Sequence, residues 1–282
     1  MRNTRRALVP LSIAALLLTG GPRARAQVDF VTIDLPGATS DQALNINARK
    51  DIVGAFVDTN GRVHGYVLRG SQISVLDVSG SIFTNALAVN ARGDVVGRYD
   101  TPDNRMHAYL FAGGAYSLID FPGAVQTTAN GISDQGDVTG RFIDSSGRTH
   151  AYVLAQGVFT AFDVPGAATT QGQGIDDRGE VTGPYTTPDG KTHGYIKSGD
   201  RFLNIDVPGA VFTMPFGMNP EGEVVGSYRT PDGVMHGFVL TRTGFTTVDV
   251  PGISALRGIN ARGDLVGAYT SGGRLHGFAI WK

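Results

Sequence analysis

Cysteine is absent from the 282 residues, which excludes disulfides and thiolate metal sites as sources of stability. Charge is sparse and balanced, 24 basic against 25 acidic side chains, so no broadly basic surface is available to gather nucleic acid. Only Ala7 to Leu18 forms an extended apolar stretch, and it is too short to span a bilayer. After it, no segment carries the apolar period of a helix. Chemical motifs are missing too. There is no Gly-rich phosphate loop before a helix, no Gly-x-Ser-x-Gly elbow and no metal-spaced histidine pair. No cofactor and no metal is implied.

Histidine is scarce but ordered. The six occur at His64, His107, His150, His193, His236 and His276, four successive steps of 43 residues and a last step of 40. Asp34, Asp77, Asp120, Asp163, Asp206 and Asp249 keep a beat of 43 throughout. A period in this range marks a repeat architecture whose units bury their faces only against one another.

The first residues have the layout of a secretory signal peptide. Arg2, Arg5 and Arg6 precede the apolar stretch, and Ala24-Arg25-Ala26 offers a small-residue cleavage site. The expected domains are thus a signal peptide over 1–26 and a six-repeat domain over 27–282. The leader holds five of the basic residues and no acid, so its removal leaves a formal charge of −6. That charge argues against nucleic acid or anionic membrane as partner. The expectation is a secreted or periplasmic monomer with no membrane span after cleavage. The Arg5-Arg6 pair leaves twin-arginine export open.

Each repeat reads as four short strands. In the copy from Phe216 to Gly252 they end at Asn219 or cover Glu223 to Tyr228, Met235 to Leu240 and Phe245 to Val250. Asn90-Ala91-Arg92-Gly93 and Thr230-Pro231-Asp232-Gly233 suit turns that close on a left-handed residue. Lys50 replaces that glycine in the first copy, so its turn should be strained or different. The Asp-rich turns lack the alternating ligands of a calcium loop. The sixth copy is shorter only in predicted loops.

Six such units predict an all-β, six-bladed β-propeller of four-stranded blades. The mature chain opens on a fourth strand, Phe30 to Pro36, and closes on a third, His276 to Trp281. The N-terminal strand should therefore complete the last blade. Tandem β-trefoils are the alternative, without a reason for this offset. Pro184 falls in a predicted inner strand and should occupy a bulge or a strand end.

Gly258-Ile259-Asn260, Gly263-Asp264-Leu265-Val266-Gly267 and His276-Gly277-Phe278 resemble the HAF repeat, as does His107-Ala108-Tyr109. The resemblance covers the mature chain and implies an extracellular repeat protein. It supplies no catalytic residue.

Opposed residues of an antiparallel hairpin have a constant index sum, which sets each histidine across from an aspartate. The pairs are His64–Asp77, His107–Asp120, His150–Asp163, His193–Asp206, His236–Asp249 and, across the ring closure, His276–Asp34. A motif present in every copy points to structure, with the pairs satisfying each other inside the blades. Tyr66, Tyr109, Tyr152, Tyr195, Phe238 and Phe278, two residues on, should pack between blades.

Function is expected where copies differ, on the loops into the innermost strands. One position there reads Leu44, Leu87, Asn130, Gln173, Phe216 and Arg257, and another Gln42, Asn85, Thr128, Gln171, Met214 and Ala255. Together with Phe83, Gln126 and Phe212 these suit a neutral polar ligand. The candidate ligand residues are Phe83, Gln126, Asn130, Gln171, Gln173, Phe212, Met214 and Arg257. The sequence favours a non-catalytic exported module binding glycan or an extracellular protein. A propeller hydrolase or lyase acting on extracellular polysaccharide is the alternative, to be marked by a deep pocket with two unlike carboxylates.

Overall fold

The computed structural model describes residues 28–282, with backbone alone for Ser254; the expected leader lies outside the described residues. Every regular element among the described residues is a strand. The first, β1 (Val31–Ile33), stands apart from its successors. Blade one is β2 (Ser40–Ile46), β3 (Ile52–Val57), β4 (Val63–Arg69) and β5 (Gln72–Leu76). Blade two is β6 (Phe83–Val89), β7 (Val95–Asp100), β8 (Met106–Ala112) and β9 (Ala115–Leu118). Blade three is β10 (Gln126–Ile132), β11 (Val138–Ile143), β12 (Thr149–Ala155) and β13 (Val158–Phe162). In blade four the inner strand is split into β14 (Thr169–Thr170) and β15 (Gly174–Ile175), followed by β16 (Val181–Thr186), β17 (Thr192–Ser198) and β18 (Arg201–Asn204). Blade five is β19 (Phe212–Met218), β20 (Val224–Arg229), β21 (Met235–Thr241) and β22 (Gly244–Val248). Blade six is β23 (Ile253–Ile259), β24 (Leu265–Ser271) and β25 (Arg274–Ile280), completed by β1.

The inner strands β2, β6, β10, β15, β19 and β23 touch in cyclic order, and β23 returns to β2. This is a six-bladed β-propeller, and trefoils are excluded. The ring closes through β1, antiparallel to β25 with Val31 opposite Ala279 and Ile33 opposite Gly277. Ile33 and Leu35 are buried in a cluster with Ala43, Ile52, Tyr66 and Ala279, so the closing strand ties the last blade to the first.

A glycine in each second strand makes room for the third-strand aromatic. A Cβ on Gly54 would lie 2.0 Å from the Gln42 carbonyl oxygen and 2.8 Å from Cε1 of Tyr66. The admitted ring is fully buried, and its hydroxyl donates to that carbonyl at 3.1 Å. Tyr109, Tyr152 and Tyr195 donate to Asn85, Thr128 and Gln171 in the same way.

Pro184 departs from the sequence expectation. It sits inside β16, opposite Gly194, in neither a bulge nor a strand end. The disruption falls on its neighbour instead, where the inner strand breaks between β14 and β15. Proline cannot donate to the Gln171 carbonyl. Tyr195 supplies the donor at 2.9 Å.

The turns between first and second strands form a belt at one end of the channel. The Asn47 amide donates to the Asn90 carbonyl at 2.9 Å, Asn90 to Ser133 at 3.3 Å, Asn219 to Asn260 at 3.2 Å and Asn260 back to Asn47 at 3.0 Å. Ser133 and Asp176 occupy the other two stations. Lys50 keeps the left-handed conformation at φ 66°, so the turn is preserved under strain. Its ammonium lies 3.5 Å from Asp264 and 4.5 Å from the Trp281 ring centroid.

Candidate functional site at the opposite end of the channel

All inner strands run toward that belt, so the six loops that lead into them gather at the other end. The histidines and aspartates also lie at this end, farther from the axis. Nδ1 of each histidine donates to its aspartate at 2.6 to 2.9 Å. Each imidazole also stacks on a second-strand aromatic, Phe56, Tyr99, Phe142, Tyr185, Tyr228 or Tyr269, at 5.0 to 5.3 Å. The pairs sit at the rim and not in the blade interior, because side-chain exposure of the aspartates runs from 19% at Asp249 to 51% at Asp34. With one nitrogen bonded and one ring face covered, the histidines have little left for chemistry. Among the described residues no three His, Asp or Glu side chains are placed to hold a metal.

A β-bulge places one variable residue per blade in the channel. The register slips between Ala43 and Asn45, Ala86 and Ala88, Ala129 and Gly131, Pro215 and Gly217, and Leu256 and Gly258. A bulge turns its extra residue out of the strand's alternation. Leu44, Leu87, Asn130, Gln173, Phe216 and Arg257 consequently line one small cavity of about 30 Å³. That volume suits water and not a sugar ring. The six side chains therefore form the floor of the mouth. Arg257 lies 3.8 Å over the Phe216 ring, and burial lowers its guanidinium to about 10. Asn130 is tied down by a 2.8 Å bond to the Gly172 carbonyl.

Of the eight candidate ligand residues, Asn130, Gln173 and Arg257 meet in this floor. Phe83 borders a separate groove of about 100 Å³ with Ser40, Gln42, Phe56 and Asn85. Gln126 and Phe212 begin their inner strands at the same end, and Gln171 and Met214 follow one step inward on blades four and five. These four are not gathered into the floor.

The sequence reading missed the cations of this end. Arg98 lies 4.5 Å over the Phe83 ring and Arg229 lies 5.5 Å over Phe212. Arg141 stands opposite Thr128, and its guanidinium is lowered first by burial and then by the Arg98 charge. Comparison of the copies along the second strand would have found it, since one position reads Ala55, Arg98, Arg141, Pro184, Ser227 and Ala268.

Two other hollows contrast with this end. At the belt, a cavity of about 50 Å³ is lined by Asp134, Asp176 and Asp177 among others. Two of these carboxylates already accept backbone amides of a neighbouring turn, Asp134 from Ala91 at 2.6 Å and Asp177 from Asp134 at 2.8 Å. A larger cleft of about 570 Å³ opens at the seam between β1 and blade one, with Val31, Ile33, Lys50, Ile73 and Trp281 in its walls.

Comparison with solved structures finds the same architecture in several proteins. AofleA from Arthrobotrys oligospora superposes with a TM-score of 0.57 at 12% identity, covering 93% of this chain and 88% of that one. A variant of the Aleuria aurantia lectin in complex with Fucα1-6GlcNAc gives 0.53 at 13% identity, covering 89% and 93%. TolB from Acinetobacter baumannii gives 0.54 at 13%, covering 86% of this chain and 63% of its own. At these identities the likeness establishes the fold alone. No protein-family model matches the chain, so the HAF resemblance rests on its motif, and no curated protein matches it either.

Proposed function

We propose that this protein is an exported, non-catalytic glycan-binding propeller whose ligand sits on the channel end bearing the loops into the inner strands. One observation carries the reading. Residues that differ between copies collect around one mouth, whereas the opposite mouth is knit by the repeated asparagine belt. A ligand without sixfold symmetry needs such differences to be held in one orientation. Amides and hydroxyls from Gln42, Asn85, Thr128 and Gln171, beside Phe83 and Phe212, match the mixed polar and aromatic contacts a sugar uses. The structural likeness to fungal lectins, one of them solved with a fucosylated disaccharide, agrees with this choice. The hydrolase alternative gains no support at this mouth, where Asp41 is the one carboxylate among the described residues that line the groove, and its oxygens accept from the Gly277 amide at 2.9 Å and from Arg274 at 3.3 Å.

A glycan array that includes fucosylated, neutral and acidic oligosaccharides tests the reading, followed by calorimetric titration of the best ligand. Phe83→Ala and Phe212→Ala should each weaken binding while the protein stays folded. An array with no bound glycan, or reducing-sugar release from a polysaccharide, would sink it.

A further inference from the structure

The strongest unanswered feature of the molecule lies between blades two and three, one step in from the proposed mouth. Asn85 stands directly across from Arg98 in blade two, and Thr128 across from Arg141 in blade three. The Met106 sulfur joins the two arginines, 3.2 Å from Nη1 of Arg98 and 3.9 Å from Nη2 of Arg141. Two positive groups are thereby held beside one sulfur atom. Carboxylate compensation is thin. Asp100 lies 3.7 Å from Nη2 of Arg98, beyond hydrogen-bond reach, and Arg141 has no carboxylate partner among the described residues.

Orphaned polar atoms gather at the same place. Asn85 Oδ1, Arg98 Nε, Asp100 Oδ1 and Thr128 Oγ1 are all buried without a hydrogen-bond partner. Buried polar groups in a folded protein are normally paired, and four unpaired on β6, β7 and β10 of two adjacent blades need an explanation. Like charges brought together out of water are also costly unless an anion answers them. The missing partner must offer negative charge to the guanidinium groups and hydroxyl groups to Asn85 and Thr128. A neutral saccharide supplies only the second, and a simple anion only the first.

We propose that Arg98 and Arg141 receive the negatively charged substituent, a carboxylate or sulfate ester, of a bound glycan whose hydroxyls meet Asn85 and Thr128. This rests on the glycan reading and sharpens it from a neutral ligand to an acidic one. Guanidinium groups bind such oxyanions through paired N–H donors, which lysine cannot reproduce. Asp100 is the one carboxylate beside the pair among the described residues, and it favours a ligand with a single charge in this position over a dense polyanion.

Calorimetry and thermal shift would be run on the whole protein and on Arg98→Gln and Arg141→Gln. The probes are trigalacturonate, a sulfated disaccharide, a neutral trisaccharide and inorganic sulfate. An acidic saccharide should bind the unaltered protein more weakly as salt rises, and either substitution should lower its affinity about ten-fold or more. Which of the two acidic probes binds more tightly identifies the substituent. Without ligand, Arg141→Gln should melt at or above the parent temperature, because it relieves repulsion. Equal binding of neutral and acidic saccharides, retained in both variants, would overturn the acidic ligand and leave the glycan reading standing. Stabilisation by sulfate alone, lost in both variants, with no saccharide bound, would overturn the sugar as source of the anion. A lower melting temperature of ligand-free Arg141→Gln without any anion response would make the arginine a packing residue and refute the site.

Discussion

Asp176→Asn should stabilise the protein at neutral pH. Four of the six belt stations carry asparagine, whose Oδ1 accepts one or two amides of its own turn while Nδ2 donates to the next blade. At station one, Asn47 accepts from Arg49 and Asp51, each at 2.9 Å, and donates to Asn90 at 2.9 Å. Asp176 accepts the matching pair, Arg178 and Glu180, each at 2.9 Å, but cannot donate onward. Its buried carboxyl is pushed up, chiefly by desolvation. Arg178 approaches Oδ2 at 2.7 Å without hydrogen-bond alignment. Asparagine would keep the two accepted bonds, remove the buried charge and restore the donor toward Asn219. The new bond contributes about 1 kcal/mol. Loss of the Arg178 pair offsets little, since that guanidinium is 44% exposed and keeps Glu180 at 2.9 Å. For a domain of this size, 1 kcal/mol raises the melting temperature by about 2 to 4 °C. The effect should depend on pH. A carboxyl whose value is raised on folding binds its proton more readily in the folded chain, so its cost is full above that value and fades as the solution is acidified. The advantage of Asp176→Asn should therefore shrink toward pH 4. Paired urea denaturations at pH 7 and pH 4 read it directly. A variant less stable than the parent at pH 7, or a gain that grows on acidification, would refute the belt argument.

Three further outcomes test the framework. Deleting residues 28–36 removes β1 and the buried Ile33 and Leu35, each contributing about 1.5 to 3 kcal/mol, a loss comparable with the whole stability of a domain; an unchanged urea midpoint would mean that the ring does not depend on this closure. His236→Ala should cost about 2 kcal/mol and His276→Ala about 1, because the Asp249 side chain is 19% exposed and that of Asp34 51%; equal parent-like midpoints in both would remove the structural role. Gly140→Ala would set a Cβ 1.9 Å from the Thr128 carbonyl oxygen, a backbone atom that cannot step aside, and should cost about 4 kcal/mol or more. Soluble Gly140→Ala protein with the parent circular dichroism and denaturation midpoint would show that the blade can open there.

Repetition made the architecture legible. The beat of histidine and aspartate set the hairpin register, and the offset of the chain ends located the closure that β1 and β25 form. The His–Asp geometry also followed from index sums, yet its depth did not, because a sum locates residues along strands and says nothing of distance from solvent. Stacking of each imidazole on a second-strand aromatic was present in the sequence as Phe56, Tyr99, Phe142, Tyr185, Tyr228 and Tyr269 but needed the pleat to bring it into contact. The channel floor was found as a variable column without its cause. The cause is the bulge, a backbone irregularity that no side-chain pattern announces. Pro184 was misplaced for the opposite reason: the rule concerns the strand that holds the proline, whereas here the neighbouring strand broke and Tyr195 met the stranded carbonyl.

The second-strand column shows how function can enter such a scaffold without disturbing it. Flanking positions are committed in every blade. The preceding glycine must admit a third-strand aromatic, and the following aromatic must stack on the histidine. Between them lies a side chain opposite the first-strand residue whose carbonyl, in four blades, is held by a tyrosine hydroxyl. Because that tie is made through backbone, the side chains at this crossing are free to differ. Ala55 and Ala268 fill the column with little chemistry, Pro184 tests its tolerance, and Arg98 with Arg141 place two cations on adjacent blades where only backbone bonds are required. A repeat protein can thus change what one sector binds while the neighbouring sectors continue to hold the ring.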